Sequence, residues 1–297
     1  MVSNNEVREM ETLKHNRFIA DRLREAATLL EQQGANRYRV AAYRNAGGTI
    51  ESLSQDVTLL FRTDGFPGLT SLPRVGPQIA GAVAEIIRTG RWMQLERLRG
   101  TIDPEWLYSQ VPGIGAHLAG RVVDSLHIDT LEALEVAVYD GRLGRVPGFG
   151  ARRVAMVRAA LAEMLGRRRH TVQQEPSVDI LLDVDHEYRE KSAANVLHRI
   201  APKRFNPTSE AWLPVLHTER GPWRFTVLYS NTARAHSLGR TRDWVVIYFQ
   251  SNSHAEGQRT VVTETQGPLK GARVVRGRES EGVEKQPMLW SEPLNAA

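Results

Sequence analysis

A five-residue pattern, apolar-Pro-x-apolar-Gly, occurs three times in the first half of this 297-residue chain. The copies are Leu72-Pro73-Arg74-Val75-Gly76, Val111-Pro112-Gly113-Ile114-Gly115 and Val146-Pro147-Gly148-Phe149-Gly150. Each is followed by small and apolar residues at helical spacing: Ala80-Gly81-Ala82-Val83, Ala119-Gly120-Arg121-Val122-Val123 and Val154-Ala155-Met156-Val157. Each is also preceded by a predicted helix. Proline and glycine end one helix and turn the chain tightly into the next, because glycine takes backbone angles that other residues resist. One such turn would say little. Three copies predict a repeated helix-hairpin-helix architecture.

The chemistry of the repeat follows from what glycine lacks. With no side chain at Gly76, Gly113, Gly115, Gly148 and Gly150, an anion can approach the backbone. The second helix of each hairpin then turns its free N–H groups and the positive end of its dipole toward that anion. A side chain at Gly115 or Gly150 is expected to push the anion away and to strain the turn. Arg121, Arg152 and Arg153, with Arg142, Arg145 and Arg158, flank the second and third turns. Contacts of this kind hold a phosphate backbone without reading bases. A DNA ligand is expected, with structured RNA as a weaker alternative, since backbone contacts discriminate poorly between helices.

Charge and composition narrow the classes. The formal net charge is +5, and only five of the 39 basic residues are lysines, at positions 14, 191, 203, 270 and 285. The arginine fork suits bidentate phosphate contacts. The absence of cysteine excludes disulfides, thiolate metal sites and cysteine nucleophiles. No apolar run reaches membrane-spanning length and the first thirty residues are charged throughout, so a cytoplasmic, nucleoid-associated protein without membrane partners is expected.

The apolar period divides the chain. Residues 1–165 read as successive helices, with Ile19, Leu23, Ala26, Ala27 and Leu30 as one example. A basic run, Arg167-Arg168-Arg169-His170, leads into a linker ending at Pro176. Beyond it strands are predicted at 178–184, 223–229, 244–249, 260–263 and 273–275, with a helix over 191–200. The fold class is α+β: a helical region and then a mixed, largely β domain. The expected units are 1–100 with the first hairpin, 101–166 with the paired hairpins, 175–280, and a disordered tail over 281–297.

The stretch Asn36-Arg37-Tyr38-Arg39-Val40-Ala41-Ala42-Tyr43-Arg44-Asn45-Ala46, followed by Thr49-Ile50-Glu51-Ser52-Leu53, resembles the N-terminal domain of the family X DNA polymerases. The first hairpin follows in the family's order, and residues 104–162 resemble the fingers subdomain. The likeness implies a protein that straddles a DNA gap or nick, with Arg39, Tyr43 and Arg74 on the DNA side. A monovalent cation at the hairpins and other repair proteins as partners are further expectations.

Three departures qualify the resemblance. The family's lyase forms a Schiff base through a lysine that corresponds to Ala82, with Gln78 at a neighbouring basic position, and no lysine lies between His15 and Glu190. Without an amine nucleophile no imine forms, so the lyase is expected to be absent. Arg74 replaces the first glycine of the first hairpin. The Gly-Ser pair that should open the polymerase palm is missing.

In the second half, Asp183-Val184-Asp185 is expected at a strand end and Asp243 at the start of another. Three carboxylates so placed would hold magnesium for phosphoryl transfer, as catalytic and metal-binding residues at once. Residues 229–236 resemble, faintly, the palm turn that packs on the nucleotide sugar. The five histidines at 186, 198, 217, 236 and 254 match no ligand spacing, while residues 267–279 read as an arginine-bearing hairpin facing phosphate. Two functions remain open: a sequence-independent binder of gapped, nicked or branched DNA in repair, and a divergent nucleotidyltransferase or nuclease using Asp183, Asp185 and Asp243.

Overall fold

The computed structural model describes residues 4–165, 175–251 and 254–283. The basic run at 167–170 and most of the expected tail lie outside these residues. Residues 279–283, at the tail's start, form a short helix.

The helical half is built from nine helices among the described residues. The first five are α1 (Asn4–Gln32), α2 (Arg37–Glu51), α3 (Val57–Thr70), α4 (Pro77–Thr89) and α5 (Met93–Arg99). They close around Leu23, Leu30, Ile50, Leu69, Leu95 and Leu98, all at most 2% exposed. Asn36 and Asp56 start α2 and α3 by accepting the second backbone N–H of each helix, and α3 bends at Gly65 before Pro67. Four more helices, α6 (Pro104–Ser109), α7 (Ala116–Leu126), α8 (Leu131–Tyr139) and α9 (Ala151–Met164), surround a second core. Tyr108, Val122, Leu134, Leu143 and Leu161 form its centre.

Beyond residue 175 lies one six-stranded antiparallel sheet in simple sequential order. Its strands are β1 (His198–Ile200), β2 (Leu213–Arg220), β3 (Trp223–Tyr229), β4 (Val245–Ser251), β5 (His254–Thr263) and β6 (Arg273–Val275). Period-two alternation gives the sheet two apolar faces. Phe225, Val227, Ile247 and Phe249 pack on α10 (Val178–Ala193), which lies across one side. Leu228, Val246 and Tyr248 form a separate cluster on the other side, which faces the helical half. The helix α11 (Ala233–Ser237) follows β3, and α12 (Glu279–Val283) follows β6.

The α+β class stands, with two corrections. Residues 178–184 are helical, and the expected helix over 191–200 is instead the end of α10, a turn and β1. Val178, Leu181, Val184, Asp185 and Tyr188 are buried at helical spacing. Ser177 accepts from the Ile180 N–H and Asp179 lies in the first turn, so the helix start is fully specified.

Candidate nucleic-acid interface

The three turns share one geometry. In each, the N–H three residues on returns to the first carbonyl: Val75 to Leu72 at 3.2 Å, Ile114 to Val111 at 2.9 Å and Phe149 to Val146 at 3.1 Å. Proline occupies the second position. The third takes positive φ, +94° at Gly113 and +97° at Gly148, as a type II turn requires. Val75, Ile114 and Phe149 are each 3% exposed and pin the turns into the cores. The pins leave the glycines at the surface.

Gly76, Gly115 and Gly150 are the N-caps of α4, α7 and α9. Their φ values of −75°, −82° and −72° are ordinary extended backbone, and a Cβ added at any of them meets nothing within 4 Å. The expected strain at Gly115 and Gly150 is therefore corrected. Positive φ belongs to Gly113 and Gly148, whereas Gly115 and Gly150 keep the approach to the helix end open.

The helix ends set these sites apart. Six of the other helices receive a side-chain cap, from Asn36, Asp56, Asp103, Thr130, Ser177 and Thr232. The hairpin helices α4, α7 and α9 have neither a side-chain cap nor an acidic residue in the first turn. At α9 the first turn instead carries Arg152 and Arg153, whose charge opposes the helix dipole. An uncapped N-terminus flanked by cations is short of one thing, an anion.

The second and third hairpins face one another. Gly113 lies under Met156 of α9, where an added Cβ would stand 2.5 Å from the methyl carbon, and Gly148 lies under Leu118 of α7 at 2.8 Å. Arg121 Nη1 donates to the Pro147 carbonyl at 3.1 Å, and Arg153 donates to the Gly148 carbonyl. Both guanidinium groups thus stand against carbonyls of the third turn.

The first hairpin departs from the other two. Arg74 holds φ +64°, so an arginine takes the left-handed conformation that glycine supplies in the other two. Pro77 at the first helical position has no N–H to offer.

Arg39 and Tyr43 are corrected. They are 5% and 3% exposed: Arg39 faces the sheet, and Tyr43 lies in the helical core with its ring 5.5 Å from that of Trp92. Arg39 Nη1 donates to Thr226 Oγ1 at 3.4 Å, and the Tyr43 hydroxyl donates to Gln94 Oε1 at 3.2 Å. The positions of Arg39 and Gln78 are covered here by strands β3 and β4, whereas Arg74 stays exposed. Ala82 is buried at 6%, and Gln78 donates to the Ser251 carbonyl, so the position matching the lyase lysine is closed as well.

The three aspartates do not fit a magnesium site. The Arg273 guanidinium stands between Asp185 and Asp243, donating to Asp185 Oδ1 at 2.5 Å, Asp185 Oδ2 at 3.0 Å and Asp243 Oδ1 at 2.7 Å. Asp183 pairs with Arg220 at 2.7 Å. The strand-end placement fails because the segment is helical, and an arginine supplies the countercharge that a metal would bring. Among the described residues, no group of three or more histidines and carboxylates is placed to hold a metal ion. The arginine-bearing hairpin is likewise self-neutralised: Arg276 pairs with Glu264, and Arg278 with Glu281.

Sequence reasoning overlooked the seam between the two halves. Arg97 donates to both carboxylate oxygens of Glu256 at 3.0 and 3.1 Å and lies 3.4 Å over the Tyr248 ring. His217 bridges Thr226 at 3.1 Å and Gln33 at 3.0 Å, and burial holds its imidazole neutral. Gln258 bonds the Asp129 N–H and the His127 carbonyl, both at 3.0 Å. The sheet thus grips both helical units and fixes one relative to the other.

The fold and the open hairpins define a class: a DNA-binding helix-hairpin-helix region followed by an antiparallel sheet domain. Comparison with known proteins agrees. Residues 14–92 match the family described as Helix-hairpin-helix domain, and residues 107–163 match the SAM-like Helix-hairpin-helix tandem. The DNA polymerase/3'-5' exonuclease PolX of Bacillus subtilis (strain 168) is 27% identical over 151 residues, half of this chain and a quarter of that protein. The helical half is a helix-hairpin-helix region that resembles the one in this family X polymerase. No helix among the described residues is long and apolar enough to cross a membrane.

Proposed function

We propose that the chain binds gapped, nicked or branched DNA without regard to sequence, through the glycine-capped ends of α7 and α9, and serves DNA repair on the nucleoid. The observation that carries this reading is the coincidence at one surface of two uncapped helix N-termini, open glycines and outward arginines. Each end can hold one phosphate by backbone N–H groups. Paired hairpins facing one another suit consecutive phosphates of one strand, and the first hairpin adds a weaker contact. Other repair proteins are the partners such a binder would serve.

The test is affinity for gapped and continuous duplexes of several sequences between about 50 and 200 mM salt, where phosphate-dominated binding falls by orders of magnitude. A steep fall, little sequence dependence and preference for the gap support the proposal. A nearly flat salt response contradicts it, and equal affinity for a structured RNA would move the ligand class. Borohydride should trap no covalent adduct on a 5′-deoxyribose-phosphate end, because Ala82 offers no amine.

A further inference from the structure

Between the second hairpin unit and the sheet lies a small cleft. Its walls are apolar, with Ile102, Val123 and Ile128 from the helical side and Leu213, Leu228 and Val246 from the sheet. Arg97, Asp129 and Tyr248 also line it, as do Arg204, Ser230, Asn231 and Thr232. His127 lines it as a neutral imidazole, pushed down to about 4 by burial and by Arg234 and Arg276.

The mouth is unusual in two ways. First, it is aromatic and exposed. Phe205 is 42% exposed, stacks on His236 with ring centres 4.6 Å apart, and carries the Arg204 guanidinium 5.2 Å over its face. Trp212 meets the same His236 edge-on at 6.3 Å. Second, it is basic. Residues 199–209 and 230–242 contain no acidic residue and contribute Arg199, Lys203, Arg204, Arg234, Arg240 and Arg242, of which Arg204 pairs with Glu105 at 2.8 Å and Arg240 with Asp243 at 3.5 Å. Asn231 ties the two segments together, donating to the Arg204 carbonyl at 3.0 Å and meeting His236 Nε2 at 2.7 Å. Aromatic faces interleaved with cations around a groove are the composition that single-stranded nucleic acid requires, stacking for the bases and charge for the backbone.

We propose that the mouth of this cleft takes an unpaired stretch of DNA strand, with bases on Phe205 and Trp212 and phosphates on Lys203 and Arg234. The inference rests on the DNA-binding reading above and extends it. The hairpins would hold duplex phosphates, and the sheet domain would hold the single strand of the gap. It gives the second half of the chain a role that the aspartates do not.

Phe205 and Arg234 are exposed, so the full-length chain with Phe205→Ala and Arg234→Ala should fold normally. The double variant is expected to bind gapped DNA and a single-stranded oligonucleotide about tenfold more weakly, with continuous-duplex affinity unchanged. Irradiating wild-type protein with 5-iodouracil placed in the gap should give adducts on Phe205, Trp212 or His236. Unchanged affinity for gapped DNA, an equal loss on continuous duplex, or adducts confined to residues 104–165 would overturn the proposal. So would displacement of the strand by a free mononucleotide at equal concentration, which would make the cleft a small-molecule site. The Gly115→Val and Gly150→Val pair separates the two readings. If it spares duplex binding, the hairpin account fails, while the cleft is still judged by Phe205.

Discussion

The Arg97 guanidinium meets the Glu256 carboxylate across the seam between the helical half and the sheet, with both carboxylate oxygens engaged at 3.0 to 3.1 Å. Arg97 is 3% exposed, and its remaining surface lies on the Tyr248 ring with Asp129 at 3.9 Å. Removing one partner leaves the other charge buried. Arg97→Met should therefore cost about 3–5 kcal/mol, read from the urea midpoint, while adding Glu256→Gln should restore part of the loss. Strictly additive losses would mean that the pair does not hold the seam.

The same logic reverses the expectation for the aspartates. A metal centre would be relieved by neutralising its carboxylates, but Asp185 is 1% exposed and carries Arg273 and Arg189 as partners. Asp185→Asn should lower stability by about 3 kcal/mol, because Arg273 loses one of its two carboxylate partners and Arg189 loses Asp185 as well. Magnesium should leave the melting temperature of both proteins unchanged. A rise of several degrees with magnesium in the wild type alone would restore the metal reading.

Glu85 supplies a pH signature. Burial first, and then the Glu132 carboxylate, push its side chain up to about 8, although its Oε1 accepts the Met93 N–H at 2.8 Å. The folded state thus holds a proton that the unfolded chain releases above about 4.5, so this contribution is fully present in acid. It declines as pH rises to about 8. Glu85→Gln keeps the acceptor and removes the titration. It should flatten the fall in stability between about pH 5 and 8 and stabilise the protein at pH 8 by about 1–3 kcal/mol. An unchanged pH profile would show that another group carries the slope.

Arg74 offers a separate test of the first hairpin. Glycine relieves the left-handed backbone but frees the unfolded chain, and the two effects nearly offset. Arg74→Gly should shift stability by less than about 1 kcal/mol and weaken DNA binding only slightly. A tenfold loss of affinity would show that the Arg74 side chain itself holds phosphate.

The hairpins were legible because their constraint is local: proline, positive φ and an apolar pin fall within five residues, three times over. Strands β3 and β6 match their predicted bounds because alternating and β-branched residues mark them. Residues 178–184 misled because a short apolar run has no decisive period, although Ser177 and Asp179 already marked a helix start. The burial of Arg39 and Tyr43 was not legible. It depends on Thr226 and Gln94, and nothing within a window around Arg39 announces a partner 187 residues away. The aspartates misled for the same reason, since Arg273 is 88 residues from Asp185. The open helix ends could have been found from sequence, as glycine N-caps with no acid in the following turn.

The central claim is that the glycine-capped helix ends hold the phosphates, and one comparison tests it most directly. Gly115 and Gly150 have extended backbones and open space where a Cβ would go, so Gly115→Val with Gly150→Val should fold within about 1 kcal/mol of the wild type, as circular dichroism and the melting temperature can verify. The valines would stand between each helix end and its phosphate. Arg121→Ala with Arg153→Ala removes charge but leaves both helix ends open. At moderate salt the valine pair should weaken gapped-DNA binding at least about tenfold, and more than the alanine pair does. A folded valine variant with undiminished affinity would contradict the account and leave the basic surface alone as the binder.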